Sequence, residues 1–499
     1  MLASITNLMQ SIADTYQSVT PDWLEKFTPV VLLLIVVAFV FYRLPTVDVG
    51  HDKGFKRRRI MNWLPLGLTY AFLYMGRYNL TVSKSAFENL AGGGNGSMMG
   101  NEAFGVIFGV GTIVYGFSFL INGPLTDKLG GRFAILIGAA GAILANLLMG
   151  LASLSLLHSG PLSGFLVANF VIVFSILYAM NMYFQSFGAV AIVKVNSSWF
   201  HVRERGVFGA IFGILISLGI YFAFDLGSMI LDSMGLAWVF LMPALLLTLF
   251  WVIDYFIVFN KPSEAGQEDF NTADATSGDE GPQLSAIKVF KMMLTNPIII
   301  TIALIEFCSG FLRQAIMQWG KIFPKQTGIA DSFVPENWGM LLCCAGILGG
   351  MFAGVISDHV FQSRRGPVAA VLYGGMLAGS VGMYFLLGNV MLMWLLIFMS
   401  LCVIGVHGML SGTASMDFGG AKNAGIAVGI IDGFVYLGTA VMSFWYGWRL
   451  PQGKEAKDPS NWGEWPLWMI PLAVIGLVLA AKLWNAKPKP KKQAEAAAD

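Results

Sequence analysis

The feature that most constrains the fold of this chain is a series of apolar runs, each long enough to cross a bilayer as a helix. A transmembrane helix needs about 20 predominantly apolar residues, and in lipid every backbone polar group must be hydrogen-bonded internally. The chain is 56% hydrophobic and 12% charged, whereas soluble domains average about 45–50% and 25%. The sequence therefore predicts an all-α membrane protein.

Twelve such runs form the body of the chain, and one further run precedes them. We place the twelve near residues 62–82, 104–122, 133–155, 163–187, 206–231, 236–259, 296–320, 337–357, 367–387, 390–412, 425–447 and 464–484. The leading run, Phe27–Tyr42, is preceded by one basic residue, Lys26, and followed by six within residues 43–59, which is the wrong order for a cleaved signal peptide. We predict that it is retained as an extra N-terminal transmembrane helix.

Lysine and arginine are distributed unevenly between the connections. Alternate connections, starting with the basic segment after the leading run, hold 22 of the 31 basic residues, and the opposite connections hold seven. Because cytoplasmic loops carry the excess of positive charge, we expect both ends of the twelve-helix body in the cytoplasm and the N-terminus of the chain outside. The expected location is a cell membrane, with a bacterial inner membrane preferred.

Two arginines lie deep inside apolar runs, Arg77 within Trp63–Lys84 and Arg313 within Asn296–Pro324. A guanidinium at membrane depth costs roughly 2.5–3.5 kcal/mol on insertion scales and marks a functional site by default. Its planar fork matches two phosphate oxygens. The pair predicts an anion site, and the alternative is a structural role in which a carboxylate such as Glu306 neutralises an arginine.

The two halves of the chain repeat one another. GPLTDKLGGR at 123–132 follows the second body run, and GVISDHVFQSRR at 354–365 follows the eighth. The aspartates of the two motifs are 231 residues apart, and the two arginines within the membrane are 236 apart. Nearly equal offsets of two unrelated features indicate a duplicated six-helix unit.

The predicted fold is two pseudo-symmetric six-helix bundles plus one extra N-terminal transmembrane helix. Between the sixth and seventh body runs the chain is polar, acidic and rich in glycine and serine, as in a linker. The predicted division is an N-terminal helix with its basic loop (1–59), a first bundle (60–259), a cytoplasmic linker (260–292), a second bundle (293–485) and a basic tail (486–499).

We assign the charged residues of the repeated motif to gating. They are Asp127, Arg132, Asp358 and Arg365. Charge pairs between the bundles would hold one conformation until substrate binding shifts the balance.

The G-x-L-x-D-(R/K)-x-G-x-R motif, the six plus six helices and the linker resemble the major facilitator superfamily over about residues 60–485. Arg77-Tyr78-Asn79, NMYFQSFG with WFHVRERG at 181–206, and FLRQAIMQW with SDHVFQSRRG at 311–366 resemble the organophosphate:phosphate antiporter family. The resemblance implies that one arginine of the first helix and one of the seventh bind the phosphoryl group. They align with Arg77 and Arg313.

The chain also departs from that family. Phe119 and Ile216 stand where the glycerol-3-phosphate carriers have a lysine and a histidine. Asp432 is shifted from the position of the acid in the hexose-phosphate carriers, and no lysine accompanies it. The phosphate anchor is therefore expected to be kept while the rest of the pocket differs.

Five further residues are candidates for substrate binding. Tyr74 shares a helix face with Arg77, three residues away. Asn181 and Gln185, one turn apart, either bridge helices or line the path. His407 is either a core histidine bonded to a carbonyl or a contact to the anion, and Trp319 either walls the pocket or belongs to an interfacial aromatic belt.

Asp432 and Glu306 are candidates for proton or charge coupling, with Asp432 also a candidate partner of Arg313. The sequence has no Ser/His/Asp set, metal-ligand cluster or nucleotide-binding loop, so we expect no enzyme activity, no cofactor and no metal. The expected partners are a small anion and the lipid bilayer, with no nucleic acid, and a monomer is expected.

The sequence thus predicts a secondary transporter that exchanges a phosphorylated organic metabolite for inorganic phosphate by rocker-switch alternating access. Three alternatives stay open: exchange of carboxylates or other organic anions, proton-coupled symport through Asp432 or His407, and a non-transporting sugar-phosphate sensor.

Overall fold

The computed structural model describes residues 31, 33–39, 42, 49–90, 97–201, 204–272, 291, 294–361, 364–414 and 424–486. In these residues the chain is mainly helical and contains no strand. Its twelve long helices are α1 (Lys53–Glu88), α2 (Asn101–Leu129), α3 (Gly131–Leu157), α4 (Phe170–Asn196), α5 (Arg205–Tyr221), α6 (Trp238–Ile257), α7 (Pro297–Thr327), α8 (Trp338–His359), α9 (Arg365–Leu386), α10 (Met391–His407), α11 (Ala424–Arg449) and α12 (Glu464–Lys482).

Two helices continue through a wider turn. A π-helical segment, Phe222–Leu226, follows α5 and leads into a helix at Gly227–Met234, and a π-helical segment at Gly408–Ala414 follows α10. Ten of the described helices are long and apolar enough to cross a membrane. The helix that holds Arg77 is not among the ten, because its arginine, asparagines and tyrosines lower its mean hydropathy.

The first helix begins earlier than its apolar run. The side chain of Asp52 accepts hydrogen bonds from the backbone N–H groups of Gly54 (3.3 Å) and Phe55 (2.8 Å). An aspartate at this position satisfies donors that have no partner within the helix. The helix therefore starts in the basic segment, at Lys53 rather than near residue 62.

Close packing of α7 against α11 sets the position of the second bundle's arginine. A Cβ atom on Gly438 of α11 would lie 2.0 Å from the carbonyl oxygen of Phe307, and one on Gly310 of α7 would lie 2.0 Å from that of Val435. Small residues at such crossings let two membrane helices approach closely. Arg313 lies one turn after Gly310 on the same helix.

The two bundles, α1–α6 and α7–α12, are joined by hydrogen bonds near the ends of α1 and α7. Gln326 of α7 donates to both carboxylate oxygens of Glu88, at 2.8 and 3.0 Å. The backbone N–H of Asn101 donates to Gln452 at 2.9 Å, and Lys84 pairs with Glu88 at 2.9 Å. We call this side of the molecule the Glu88 end.

A carboxylate of the first bundle also caps a helix of the second. Asp225, in the π-helical segment after α5, accepts hydrogen bonds from the backbone N–H groups of Gly339 (2.6 Å) and Met340 (2.7 Å). The first N–H groups of a helix have no acceptor within it, so Asp225 satisfies two such donors of α8 and also joins the two bundles.

At the opposite end, several prominent hydrogen bonds stay within the first bundle. Arg58 donates to the carbonyl oxygen of Ile257 at 2.7 Å, Arg59 pairs with Glu204 at 2.9 Å, and Asn62 accepts from the backbone N–H of Phe259 at 2.8 Å. On the predicted topology this is the cytoplasmic end, and the Glu88 end faces the outside.

The predicted leading helix is described only in part, over residues 33–39, which are helical. Leu33 is 5% exposed and belongs to an apolar cluster with Ile214 of α5 and with Met340, Cys343 and Ile347 of α8. This segment thus contacts both bundles. Its crossing of the membrane stays a prediction, and residues 273–290 of the linker and 487–499 of the tail lie outside the described residues.

Candidate functional site

Arg77 lies in the interior of the first bundle and is 2% exposed. Its Nε donates to Gln185 Oε1 at 3.1 Å, its Nη2 to Tyr115 Oη at 2.8 Å and its Nη1 to Tyr436 Oη at 3.1 Å. The rings of Tyr74 and Tyr115 lie 4.4 and 4.5 Å from the guanidinium carbon, which is within the range of a cation–π contact. Each of these partners is neutral.

Buried amides hold Gln185 in place. Gln185 Nε2 donates to Asn181 Oδ1 at 3.0 Å, and Asn181 Nδ2 donates to the carbonyl oxygen of Gly76 at 2.7 Å. Asn146 of α3 donates to the same oxygen of Asn181 at 3.0 Å. Asn181 therefore bridges α1, α3 and α4, and of the two predicted candidates it is Gln185 that contacts the guanidinium.

Arg313 lies in the second bundle, and its Nε, unlike that of Arg77, lacks a described hydrogen-bond acceptor. Its Nε is buried and has no hydrogen-bond partner in the part of the chain that the structure describes. It interacts electrostatically with Tyr436, Tyr78, Tyr74 and Glu306. Tyr436 thus accepts a hydrogen bond from Arg77 and also lies within electrostatic range of Arg313.

Neither arginine forms an ion pair with a carboxylate among the residues described. Glu306, the alternative partner for Arg313, pairs instead with His407 of α10, with 2.9 Å between Oε2 and Nδ1. Asp432 accepts a hydrogen bond from Ser411. Neither guanidinium is therefore directly paired with a carboxylate, although Glu306 and Asp432 lie within electrostatic range of Arg313.

The contacts described for Trp319 involve aromatic rings and a methionine and neither of the two guanidinium groups. Trp319 is fully buried, its ring packs on Phe104, Tyr446 and Trp462 at 5.8–6.1 Å between ring centres, and its Nε1 contacts Met442 Sδ at 3.4 Å. These contacts place it in an aromatic core that links α2 to the second bundle.

The arginines of the repeated motif have neighbours in their own bundles. Arg132 donates to the carbonyl oxygen of Tyr255, and its guanidinium lies 4.9 Å from the ring of Phe259. Arg365 donates to Ser357 at 2.8 Å. The side chains of Asp127 and Asp358 lie outside the described residues, so the predicted gate stays a prediction.

Sequence reasoning missed Tyr115 and Tyr436, although both are hydrogen-bonded to Arg77. A signal was present for each. Tyr436 follows Asp432 by one helical turn, and Tyr115 precedes Phe119 by one turn, so each shares a face with a position already singled out.

Comparison with solved structures gives the fold. A bacterial homologue of the human lysosomal transporter Spinster, solved in an inward-facing and unoccupied conformation, matches with a TM-score of 0.63 at 14% identity over 87% of this chain and 97% of that one. A D-xylose-proton symporter matches with a TM-score of 0.60 at 14% identity, over 86% and 98% of the two chains.

Comparison of sequences gives a family and several relatives. The Major Facilitator Superfamily pattern matches residues 66–443. A glycerol-3-phosphate transporter of Bacillus subtilis is 25% identical over 88% of this chain and 95% of its own length. A probable hexose phosphate transport protein of Chlamydia trachomatis is 23% identical over 87% and 92%, and the membrane sensor protein UhpC of Escherichia coli is 24% identical over 86% and 93%.

Proposed function

Because the chain belongs to the Major Facilitator Superfamily, we propose that it exchanges a phosphorylated organic metabolite for inorganic phosphate across a membrane by alternating access. The observation that carries this proposal is the arginine pair. One guanidinium lies in each bundle, and within the described residues neither has a carboxylate against it. The names of the relatives support a metabolite of the glycerol-phosphate or sugar-phosphate type.

The geometry at Arg77 suits a phosphoryl group. A guanidinium has five N–H donors, and three of those of Arg77 point to neutral side chains. Two donors remain for anionic oxygens, and charge-assisted bonds of this kind are about twice as strong as neutral ones. The hydroxyl of Tyr436 can also turn to donate to an anion, while remaining near both arginines.

Exchange follows from the same charges. Closing an empty site would desolvate two guanidinium groups with no anion bound to either, which is costly. A bound phosphate or phosphate ester neutralises them and lets the bundles change conformation. Each half-cycle then needs an anion, so the transport is an exchange that uses no ATP.

The proposal includes the predicted topology and division of the chain. Both ends of the twelve-helix body lie in the cytoplasm, the linker at 260–292 joins the bundles on that side, and the Glu88 end faces outward. The conformation described here is then closed toward the outside. The charged motif residues gate the opposite side.

The test is uptake of labelled inorganic phosphate into proteoliposomes that are preloaded with phosphate or left empty. We expect fast uptake only into loaded vesicles, and losses of more than about tenfold for Arg77→Ala and for Arg313→Ala, since each removes charged hydrogen bonds of about 1.5–3 kcal/mol. Arg449→Ala is the matched control, because that arginine is 38% exposed and pairs with Glu464. Uptake by Arg77→Ala at the wild-type rate would contradict the proposal.

The same vesicles separate the alternatives. Uptake inhibited by carboxylates but not by phosphate would indicate a carrier of other organic anions. Uptake into empty vesicles driven by a pH gradient would indicate proton symport. Binding of phosphate without flux would indicate a sensor, as the name of one relative suggests.

A further inference from the structure

A buried acid and a histidine meet in the second bundle. Glu306 of α7 is fully buried, and its Oε2 lies 2.9 Å from Nδ1 of His407 on α10. Its other oxygen, Oε1, is buried and has no hydrogen-bond partner among the described residues. The side chain of His407 is 25% exposed. The imidazole therefore connects a fully buried carboxyl group to a more accessible space.

A second carboxyl group completes the cluster. Asp432 of α11 accepts a hydrogen bond from Ser411 and interacts electrostatically with His407, Glu306 and Arg313. Within the described parts of the chain, the other titratable side chains that face the cluster, apart from Arg313, are Cys308 on α7 and Tyr373 on α9. We call Glu306, His407 and Asp432 the acid–histidine cluster.

The charge of this cluster decides how well Arg313 can attract an anion. With both carboxyl groups ionised and the imidazole neutral, the cluster carries two negative charges beside one guanidinium. The net charge of such a site is negative, and it repels an anion because charges several ångströms apart interact strongly in an interior of low dielectric constant. Each proton that binds to the cluster removes one negative charge or adds one positive charge, and so strengthens the attraction.

We propose that the acid–histidine cluster is a proton-binding site that is linked to anion binding at Arg313, with His407 as the point at which the proton enters. This inference rests on the proposed function. Because linkage is reciprocal, a bound anion raises the proton affinity of the cluster, and an anion entering the site takes up a proton from the solvent. Affinity for the anion falls as the pH rises and the cluster loses that proton.

The experiment is calorimetric titration of the purified full-length protein with inorganic phosphate at pH 7, in two buffers with different ionisation enthalpies. The number of protons taken up per phosphate is compared between the wild type, Glu306→Gln and His407→Gln, so that the titration of phosphate itself cancels. Asp254→Asn is the matched control, because Asp254 is a buried carboxyl in the first bundle that accepts from Thr69 at 2.5 Å.

We expect the wild type and Asp254→Asn to take up about 0.5–1 proton more than either cluster variant, as for a single linked group. The ratio of the dissociation constants at pH 8 and pH 6 should be about tenfold larger for the wild type than for the variants. Two variants are used so that the test survives if one of them does not fold.

The outcomes separate this inference from the proposed function. Phosphate binding by the wild type with the same proton count in all four proteins overturns the proton site and leaves the anion site standing. A wild type that binds no phosphate at any pH overturns both, since the linkage needs the anion site.

Discussion

Replacement of Asp225 by asparagine is expected to loosen the Glu88 end of the molecule. Asp225 is 9% exposed and accepts from the backbone N–H groups of the second and third residues of α8, Gly339 and Met340, at 2.6 and 2.7 Å. It belongs to the first bundle and α8 to the second, so both bonds must break whenever the bundles part at this end. Asparagine keeps the shape but has no charge, and it offers one acceptor oxygen in place of two.

The size of the effect follows from these contacts. Hydrogen bonds to charged groups contribute about 1.5–3 kcal/mol, and a negative charge at a helix N-terminus contributes about 0.3–1 kcal/mol, or up to about 2 when partly buried. Because the amide oxygen still accepts one bond, the expected net loss is about 1–2 kcal/mol. That corresponds to a rise of about 5- to 30-fold in the opening equilibrium.

The assay is the reaction rate of a single reporter cysteine with a membrane-impermeant maleimide. Ser443→Cys, in a background without the four native cysteines, suits this purpose because Ser443 is 2% exposed and its carbonyl oxygen faces Gly105 of α2. We expect Asp225→Asn to react about 5- to 30-fold faster from the outside of intact cells. Asp254→Asn should not, because the partner of Asp254 lies in the same bundle.

Two results would refute the reasoning. One is an unchanged labelling rate in a folded Asp225→Asn protein, which would mean that the cap does not hold the bundles together. The other is an equal acceleration in Asp254→Asn, which would mean that any buried acid has this effect.

Two further predictions concern α11. Gly438→Ala should lower the free energy of unfolding by about 1–3 kcal/mol through overpacking, because the added Cβ would lie 2.0 Å from the carbonyl oxygen of Phe307. The midpoint of thermal unfolding in detergent should therefore fall. Gly429→Ala is the control and should leave the midpoint unchanged, because Gly429 lies on the same helix with open space at its Cβ. Tyr436→Phe removes the acceptor 3.1 Å from Arg77 Nη1, worth about 0.5–1.5 kcal/mol, so the dissociation constant for phosphate should rise about 2- to 12-fold, and an unchanged value would remove this tyrosine from the site.

The fold was predictable because membrane-spanning helices can be recognised in a sequence by their length and apolar composition. The all-α fold with two six-helix bundles is confirmed, as is the resemblance to organophosphate carriers. The expectation that the chain is not an enzyme is confirmed by the same family and its relatives. The start of α1 was predicted too late, since the signal was the cap at Asp52 and not the apolar run.

The site was predictable only where its members lie on one helix or stand out within the membrane. Arg77, Tyr74 and Gln185 fit that description, and the structure brings them together. Tyr436 was missed because its contact with Arg77 spans 359 residues of sequence, and no pattern along one chain gives a distance between bundles.

The pairing of Glu306 with His407 is a second contact between different helices that the sequence does not reveal. From the sequence alone, Glu306 is interpreted as a partner of Arg313 and His407 as a contact to the anion. Both residues lie on helices that pack together, α7 and α10, so a carboxyl and an imidazole that are 101 residues apart form one pair.

The two arginines differ in how many of their hydrogen-bond donors are satisfied, and this difference suggests a different role in anion binding for each bundle. Arg77 makes three hydrogen bonds before any anion arrives, so little ordering remains when an anion binds, and preorganisation of this kind favours affinity. Arg313 has a buried Nε without a described partner, and an unsatisfied buried donor costs about 1–3 kcal/mol. An anion that reaches Arg313 removes this cost, whereas at Arg77 it binds to the two remaining donors of a guanidinium that already makes three hydrogen bonds. The first bundle therefore supplies a fixed anchor, and the larger gain on binding arises in the second bundle, which is the half that we expect to rearrange.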